Sequence, residues 1–167
     1  MRKLYLLKAI VDFVWIISLI TIPFLLFFIG FLLISDESFD FPIKMNGIEI
    51  TVLDLNAKVV LFFGALSYLA LIYSLYFMKK LLSLFQSRII FDEKVIKYFN
   101  KIGNLFIISA FLAGVPTFIY KIITREIGLE IGYNPFLYLV SLGLFFMVLS
   151  EVFKMAKTMK DENELTV

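Results

Sequence analysis

Four long apolar segments, separated by short polar ones, constrain this chain more than any single motif does. The segments cover residues 10–34, 57–78, 102–123 and 136–155. A helix needs about 20 predominantly apolar residues to cross the hydrocarbon core of a bilayer, and each segment has about that length. Hydrophobic residues make up 61% of the chain, and the 18% that are charged are concentrated outside these segments. We therefore predict an all-α membrane protein, with four transmembrane helices in a single domain spanning residues 1–167.

The Lys and Arg residues are divided unevenly between the two sides that this topology creates. One side carries Arg2, Lys3, Lys8, Lys79, Lys80, Arg88, Lys94, Lys97, Lys101, Lys154, Lys157 and Lys160. The other side carries only Lys44, Lys58, Lys121 and Arg125. Because the cytosolic loops of membrane proteins carry the excess of Lys and Arg, we predict that both termini are cytosolic. The same rule predicts a cytosolic loop at 79–101 and outer loops at 35–56 and 124–135.

The first outer loop contains the pattern of a β-hairpin. Asn46-Gly47 is a strong signal for a two-residue turn, because both turn positions need positive φ. Apolar and polar residues alternate on both sides of this turn, as they do in strands with one buried face. The predicted cross-strand pairs are Met45 with Ile48, Lys44 with Glu49, Ile43 with Ile50 and Phe41 with Val52.

The second outer loop alternates in the same way. Ile127, Leu129 and Ile131 alternate with Gly128 and Glu130. We predict that this segment adds a third strand to the hairpin. The result would be a small extracytoplasmic cap, either a hairpin or a three-stranded sheet, over the outer ends of the helices.

The cytosolic loop mixes basic and apolar residues, and its pattern predicts two helical pieces. The second apolar helix is expected to end at Ser87-Arg88, and Asp92 is expected to cap a new helix that continues into the third apolar segment. Three interpretations stay open: a plain connector, a segment attracted to anionic lipid, or a docking surface for a cytosolic protein. The candidate docking residues are Arg88, Phe91, Asp92, Lys94, Lys97 and Lys101.

Asp12 and Glu151 are the ionisable residues closest to the apolar segments. Lys8 precedes Asp12 by four residues and Lys154 follows Glu151 by three, so we predict an ion pair at each helix end. The alternative is a carboxylate site for a proton or cation, since charges within a membrane are often functional. That alternative would make the protein a small transporter or channel component.

The composition excludes several kinds of chemistry. The chain contains no Cys and no His, which rules out disulfides, thiolate nucleophiles, Cys/His metal sites and His-based catalysis. It also lacks a phosphate-binding loop, a dinucleotide fingerprint and a nucleophile elbow. We therefore expect no enzymatic activity, no cofactor and no metal.

The composition and the placement of the basic residues also limit which molecules the protein is expected to bind. The basic residues lie close to the bilayer and are diluted by Leu and Ile, so we expect no direct contact with nucleic acid. The lipid bilayer is the first expected partner, and a homo-oligomer is left open.

Three stretches of the sequence resemble one known family. They are FDEKVIKYFNKIG at 91–103, SEVFKMAKTM at 150–159 and DENELTV at 161–167. The chain is similar there to small four-helix bacterial membrane proteins that are classed as a domain of unknown function. Members usually have a Gly a few residues before the Phe, where this chain has Gln86-Ser87-Arg88.

Members of this family are often encoded beside a small helix-turn-helix regulator of the Xre type. The resemblance thus implies a multi-pass protein of the bacterial inner membrane. Its implied role is that of a regulatory partner of such a cytosolic transcription regulator, and it brings no catalytic residues with it.

Overall fold

Four long helices and one two-stranded sheet make up the computed structural model, which describes residues 2–34, 43–45, 47–125 and 134–165. The elements are α1 (Arg2–Ile34), β1 (Ile43–Met45), β2 (Ile48–Ile50), α2 (Leu55–Gln86), α3 (Glu93–Ile123) and α4 (Pro135–Leu165). All four helices are long and apolar enough to cross a membrane. The predicted fold class, four helices of membrane-spanning length with a small β-hairpin, is confirmed.

The helices pack side by side in chain order, each antiparallel to the next. Asp12 lies beside Lys79 while Thr21 lies beside Tyr68, so α1 and α2 run in opposite directions. The α2–α3 and α3–α4 pairs follow the same rule, and α1 and α4 do not pack along each other within the described residues. One end of every helix therefore lies on the side of residues 87–92, the connector between α2 and α3, and we call this side the connector end. The opposite side carries the β-hairpin, and we call it the hairpin end.

Helix α1 lies at the edge of this row and is mostly uncovered by protein. Its only extensive helix contact among the described residues is with α2. Phe24 and Phe27 expose 71% and 78% of their surface, although α1 is apolar on every side. A helix with apolar residues all round is stable in lipid, where it needs no partner to cover them.

The hairpin has the predicted register. Ile43 pairs with Ile50 and Met45 with Ile48, while Lys44 and Glu49 form an ion pair of 3.6 Å across the other face. The apolar face covers the hairpin ends of α1, α2 and α3. Ile48 and Ile50 are buried there against Leu32, Leu53, Ala57, Val60, Leu61 and Tyr120.

Two parts of the predicted cap fall outside the residues that the structure describes. These are the Phe41–Val52 pair, through Phe41, and the third strand at 127–131. The described sheet is the two-stranded hairpin.

Two contacts between small side chains bring α2, α3 and α4 close together. The hydroxyl of Ser67 on α2 donates to the carbonyl oxygen of Ser109 on α3 at 2.9 Å, and the Ser109 hydroxyl donates back to the Ser67 carbonyl at 3.2 Å. On the other side of α3, Gly103 lies against Gly143 of α4. Small residues permit such close approach, and hydrogen bonds between helices replace the hydrophobic force that is missing in lipid.

The helices continue beyond the predicted spans at the connector end. Helix α2 runs eight residues past the segment 57–78, which is about 12 Å at 1.5 Å per residue. A core formed by Phe77, Leu81, Val95, Phe99 and Ile102 lies where the predicted spans pass into these extensions. This core fixes α2, α3 and α4 to one another at the connector end.

Capping residues define both ends of the connector at 87–92. Ser87 is the C-cap of α2, and the Asp92 carboxylate accepts a hydrogen bond of 2.7 Å from the backbone N–H of Lys94 at the start of α3. The predicted break at Ser87-Arg88 and the predicted cap at Asp92 are therefore confirmed.

We expect Asp92→Ala to lower the free energy of unfolding by about 1 kcal/mol, because the first N–H groups of α3 lose their acceptor. Reversible unfolding of the purified protein in mixed detergent micelles measures this change. Asp92→Asn is the matched control, since its side-chain oxygen still accepts the bond and the loss should be much smaller. Equal losses in the two variants would contradict a capping role.

Candidate functional site

The connector between α2 and α3 exposes three consecutive apolar side chains at the connector end. Ile89, Ile90 and Phe91 expose 43%, 40% and 43% of their surface. We call residues 88–91 the tip. Because α2 carries the tip beyond the predicted span, the exposed part of these side chains is covered neither by protein nor by the predicted hydrocarbon. An exposed apolar group of this kind is a candidate interaction site.

A tight helix end holds the tip in place. The N–H of Ile89 donates to the carbonyl of Leu84 at 3.0 Å, and the N–H of Arg88 donates to that of Phe85 at 3.1 Å. These are the two bonds of a Schellman motif, with Arg88 at φ 58° in the left-handed region. Glycine adopts this conformation without steric cost, so Arg88 occupies the kind of position where the family resemblance leads one to expect Gly.

The extension of α4 lies beside the tip. The ammonium of Lys157 donates to a carboxylate oxygen of Glu93 at 3.4 Å, and Lys97 pairs with the other oxygen of Glu93 at 3.4 Å. The Lys160 ammonium lies 5.8 Å from the centre of the Phe91 ring. Glu93 thus connects the start of α3 to the last turns of α4.

The Lys157 hydrogen bond, helped by Lys97, lowers the pKa of the Glu93 carboxyl below its ordinary value of 4.5. Glu93 begins α3 nine residues before the predicted span 102–123, so it titrates in contact with water. Because the pKa of Glu93 is lower in the folded than in the unfolded state, its ionised carboxylate stabilises the fold at pH values above the unfolded pKa. This stabilisation is lost as the pH falls through the folded pKa.

We expect Lys157→Gln to raise the pKa of Glu93 toward its ordinary value, because the strongest of the two cationic partners is removed. Carboxyl carbon NMR of the detergent-solubilised protein, titrated between about pH 2 and 6, follows the group directly. Lys160→Gln is the control, because Lys160 pairs with Glu164 and not with Glu93. An unchanged Glu93 titration in Lys157→Gln would contradict this contact.

The structure places some of the docking residues predicted from sequence at or beside the tip and the others nearer the predicted membrane span. Arg88 and Phe91 form part of the tip, Asp92 caps α3, and Lys94 is exposed beside them. Lys97 follows one turn later in its ion pair. The sixth candidate, Lys101, lies nearer the predicted span, where its ammonium is 4.7 Å from the centre of the Phe77 ring.

Other residues at this end were not singled out from the sequence. Ile89 and Ile90 are part of the exposed group, and Lys157 and Lys160 approach it from α4. The run of three apolar residues after a basic one was a signal that could have identified Ile89 and Ile90. No sequence signal pairs Lys157 with Glu93, which are 64 residues apart.

Aromatic rings alternate with lysines where α1 and α2 approach the connector end. The Lys79 ammonium lies 4.3 Å from the centre of the Trp15 ring, and the Lys80 ammonium lies 4.3 Å from that of Tyr76. We call these four residues the aromatic–lysine belt. Trp and Tyr concentrate at the level of the lipid headgroups, and cations bind favourably to their faces. The belt therefore has the composition typical of the boundary between hydrocarbon and water.

The predicted ion pairs at Asp12 and Glu151 are wrong. Asp12 forms an ion pair, but its partner is Lys79 across the α1–α2 contact at 3.5 Å and not Lys8. The Lys79 ammonium also lies over the Trp15 ring of α1. The buried Oδ1 of Asp12 accepts no hydrogen bond, so this contact is ionic only. Glu151 and Lys154 are both exposed on α4, and the structure shows no ion pair between them.

The two carboxylates also lie far apart in the row of helices. Asp12 is on α1 and Glu151 is on α4, which occupy opposite edges. The structure therefore does not bring them into a shared carboxylate site. Among the described residues there is also no group of three or more acidic side chains that could hold a metal ion.

The antiparallel apolar helices, the exposed apolar edge helix and the aromatic–lysine belt together define a multi-pass membrane protein. The chain belongs to the family described as "Protein of unknown function (DUF2975)", whose model matches residues 6–167. This match confirms the resemblance to a four-helix family of unknown function. No curated protein and no solved structure matches the chain.

Proposed function

We propose that this protein has a binding role of the regulatory type in the bacterial inner membrane. In this proposal the connector end faces the cytosol, and the tip binds a cytosolic helix-turn-helix transcription regulator. The observation that carries the proposal is the exposed apolar group Ile89, Ile90 and Phe91, held on a fixed helix end. Its connection to a regulator rests on the family resemblance.

The position of the tip favours a protein partner over lipid. Gln86, the last residue of α2, lies six residues beyond Lys80 of the belt, which is about 9 Å along the helix axis. The headgroup region on one side of a bilayer is only about 5–8 Å thick. The tip therefore extends past the headgroups, where water would otherwise cover its apolar side chains.

The charges around the tip indicate what the partner surface contains. Arg88 and Lys94 lie on either side of the capping Asp92. Lys160 approaches from α4, where it also pairs with an acidic residue. A complementary surface would have an apolar pocket for Phe91 and acidic side chains opposite the two connector cations. These acidic side chains would direct the encounter, while the apolar anchor would supply most of the affinity.

Binding of the purified, detergent-solubilised protein to the Xre-type helix-turn-helix regulator that the family resemblance leads us to expect beside its gene tests this proposal. We expect Ile90→Asp and Phe91→Ala each to weaken binding by at least about 30-fold, the effect of losing one anchor worth about 2 kcal/mol. Leu6→Asp is the control, because Leu6 is also exposed at the connector end, with 64% of its surface accessible, but belongs to α1.

Biolayer interferometry with the immobilised membrane protein gives the dissociation constants. Absence of binding by the wild-type protein would refute the regulatory partnership. Equal weakening by Leu6→Asp would show that the tip has no special part in it.

A further inference from the structure

A cavity of about 780 Å³ lies between α3, α4 and the hairpin, at the hairpin end. Short residues of α3, namely Ala110, Ala113 and Gly114, line one side, and Phe136 and Leu139 of α4 line the other; the two sides meet where the Phe136 ring packs on Gly114. The turn residue Gly47 of the hairpin closes part of the top. This volume is within the range of about 300–1,000 Å³ that is typical of sites for small ligands.

The cavity reaches deep into the predicted membrane region. Its described lining on α3 extends from Ala110 to Lys121, which is about 16 Å along the helix axis. The hydrocarbon core of a bilayer is about 30 Å thick, so this length corresponds to one leaflet. A single acyl chain that stands upright in one leaflet has the same extent.

The outer end of the cavity carries positive charge. Lys121, in the last turn of α3, lines this end of the cavity. The first turn of α4 also begins there, where Asn134 accepts hydrogen bonds from the N–H groups of Phe136 and Leu137. The positive end of the α4 dipole and the Lys121 ammonium favour an anionic group at this level.

We propose that this cavity binds one acyl chain of an anionic phospholipid from the leaflet at the hairpin end, with its phosphate beside Lys121. No described residue of α1 lines the cavity, and α1 and α4 do not pack along each other within the described residues. A lipid can thus enter sideways from the leaflet and needs no route through water. This inference is independent of the proposed binding of a regulator at the opposite end.

Lipid retention by the full chain tests the proposal. The protein is reconstituted in nanodiscs that contain equal amounts of phosphatidylglycerol and phosphatidylcholine, then transferred to detergent and examined by native mass spectrometry. We expect the wild-type protein to retain one phosphatidylglycerol. Lys121→Gln should reduce this retention about fivefold, and Ala113→Phe, which fills the cavity, should abolish it.

Two control variants match these changes. Lys58→Gln removes another cation at the hairpin end that does not line the cavity, and Ile108→Phe enlarges a side chain on the other side of α3. Both should retain the lipid as the wild-type protein does. If Ala113→Phe does not fold, Leu139→Phe reduces the same space from the α4 wall.

Three results would overturn the proposal. The first is equal retention of the two phospholipids by the wild-type protein. The second is unchanged retention of phosphatidylglycerol in a folded cavity-filling variant. The third is displacement of the phospholipid by added oleate at equal concentration, which would identify a free fatty acid as the ligand.

Discussion

Replacing Phe99 with alanine is expected to lower the free energy of unfolding by about 3–5 kcal/mol, the largest effect of any single substitution considered. Phe99 is only 5% exposed, and its ring lies 5.0 Å from that of Phe153 and 6.1 Å from those of Phe85 and Phe146. It therefore joins α2, α3 and α4 in the core at the connector end. Removal of the ring leaves a cavity that these long helices cannot easily close.

Unfolding of the purified protein by dodecyl sulfate in mixed micelles, followed by circular dichroism, measures the loss. Phe24→Ala is the matched control, because Phe24 is 71% exposed on α1, and its truncation should cost less than about 1 kcal/mol. Equal losses for Phe99→Ala and Phe24→Ala would show that the packing at the connector end is not as described.

Gly103→Ala is expected to lower the free energy of unfolding by about 1–3 kcal/mol through overpacking. A Cβ atom at this position would lie 2.6 Å from the carbonyl oxygen of Gly143 and 2.6 Å from the Cγ of Met147. The first of these neighbours is backbone, so α3 and α4 must move apart to accept the methyl group. Gly143→Ala should behave in the same way, because its Cβ would lie 2.8 Å from the Gly103 carbonyl oxygen.

The control for this contact is Gly30→Ala on α1. Nothing lies within 4 Å of a Cβ atom at Gly30. Because alanine favours a helix more than glycine does, this change should leave stability equal or slightly higher. The same unfolding measurement compares the three variants, and a loss in Gly30→Ala as large as in Gly103→Ala would contradict close α3–α4 packing.

Features governed by local sequence were predictable. The four helices follow from apolar length alone, and the hairpin register follows from the turn at Asn46-Gly47 together with the alternation around it. The Asp92 cap was predictable for the same reason, because a capping side chain acts on N–H groups within three residues.

Features that depend on which helix faces which were not predictable. Lys8 is within pairing distance of Asp12 along the same helix, yet Lys79 pairs with it across the α1–α2 contact. The reciprocal bonds between Ser67 and Ser109 also depend on the relative register of two helices. Apolar sequences specify this register weakly, since nearly every face of such a helix can be covered by lipid.

The candidate site shows both kinds of feature. Phe91 and the basic residues after it were identified from sequence, because they follow a helix break and lie in a polar loop. The approach of Lys157 and Lys160 was not, because it requires that the extension of α4 reach back beside the start of α3. That approach depends on the length of α4 beyond its predicted span and on its packing against α3.

The sidedness of the tip is tested most directly by cysteine labelling in intact cells, since the chain contains no Cys of its own. Glu49→Cys places a thiol on the exposed face of the hairpin, and Lys94→Cys places one beside the tip. A membrane-impermeant maleimide should label Glu49→Cys in intact cells and label Lys94→Cys only after the cells are permeabilised. Labelling of Lys94→Cys in intact cells would place the tip outside the cytosol and contradict the proposed function.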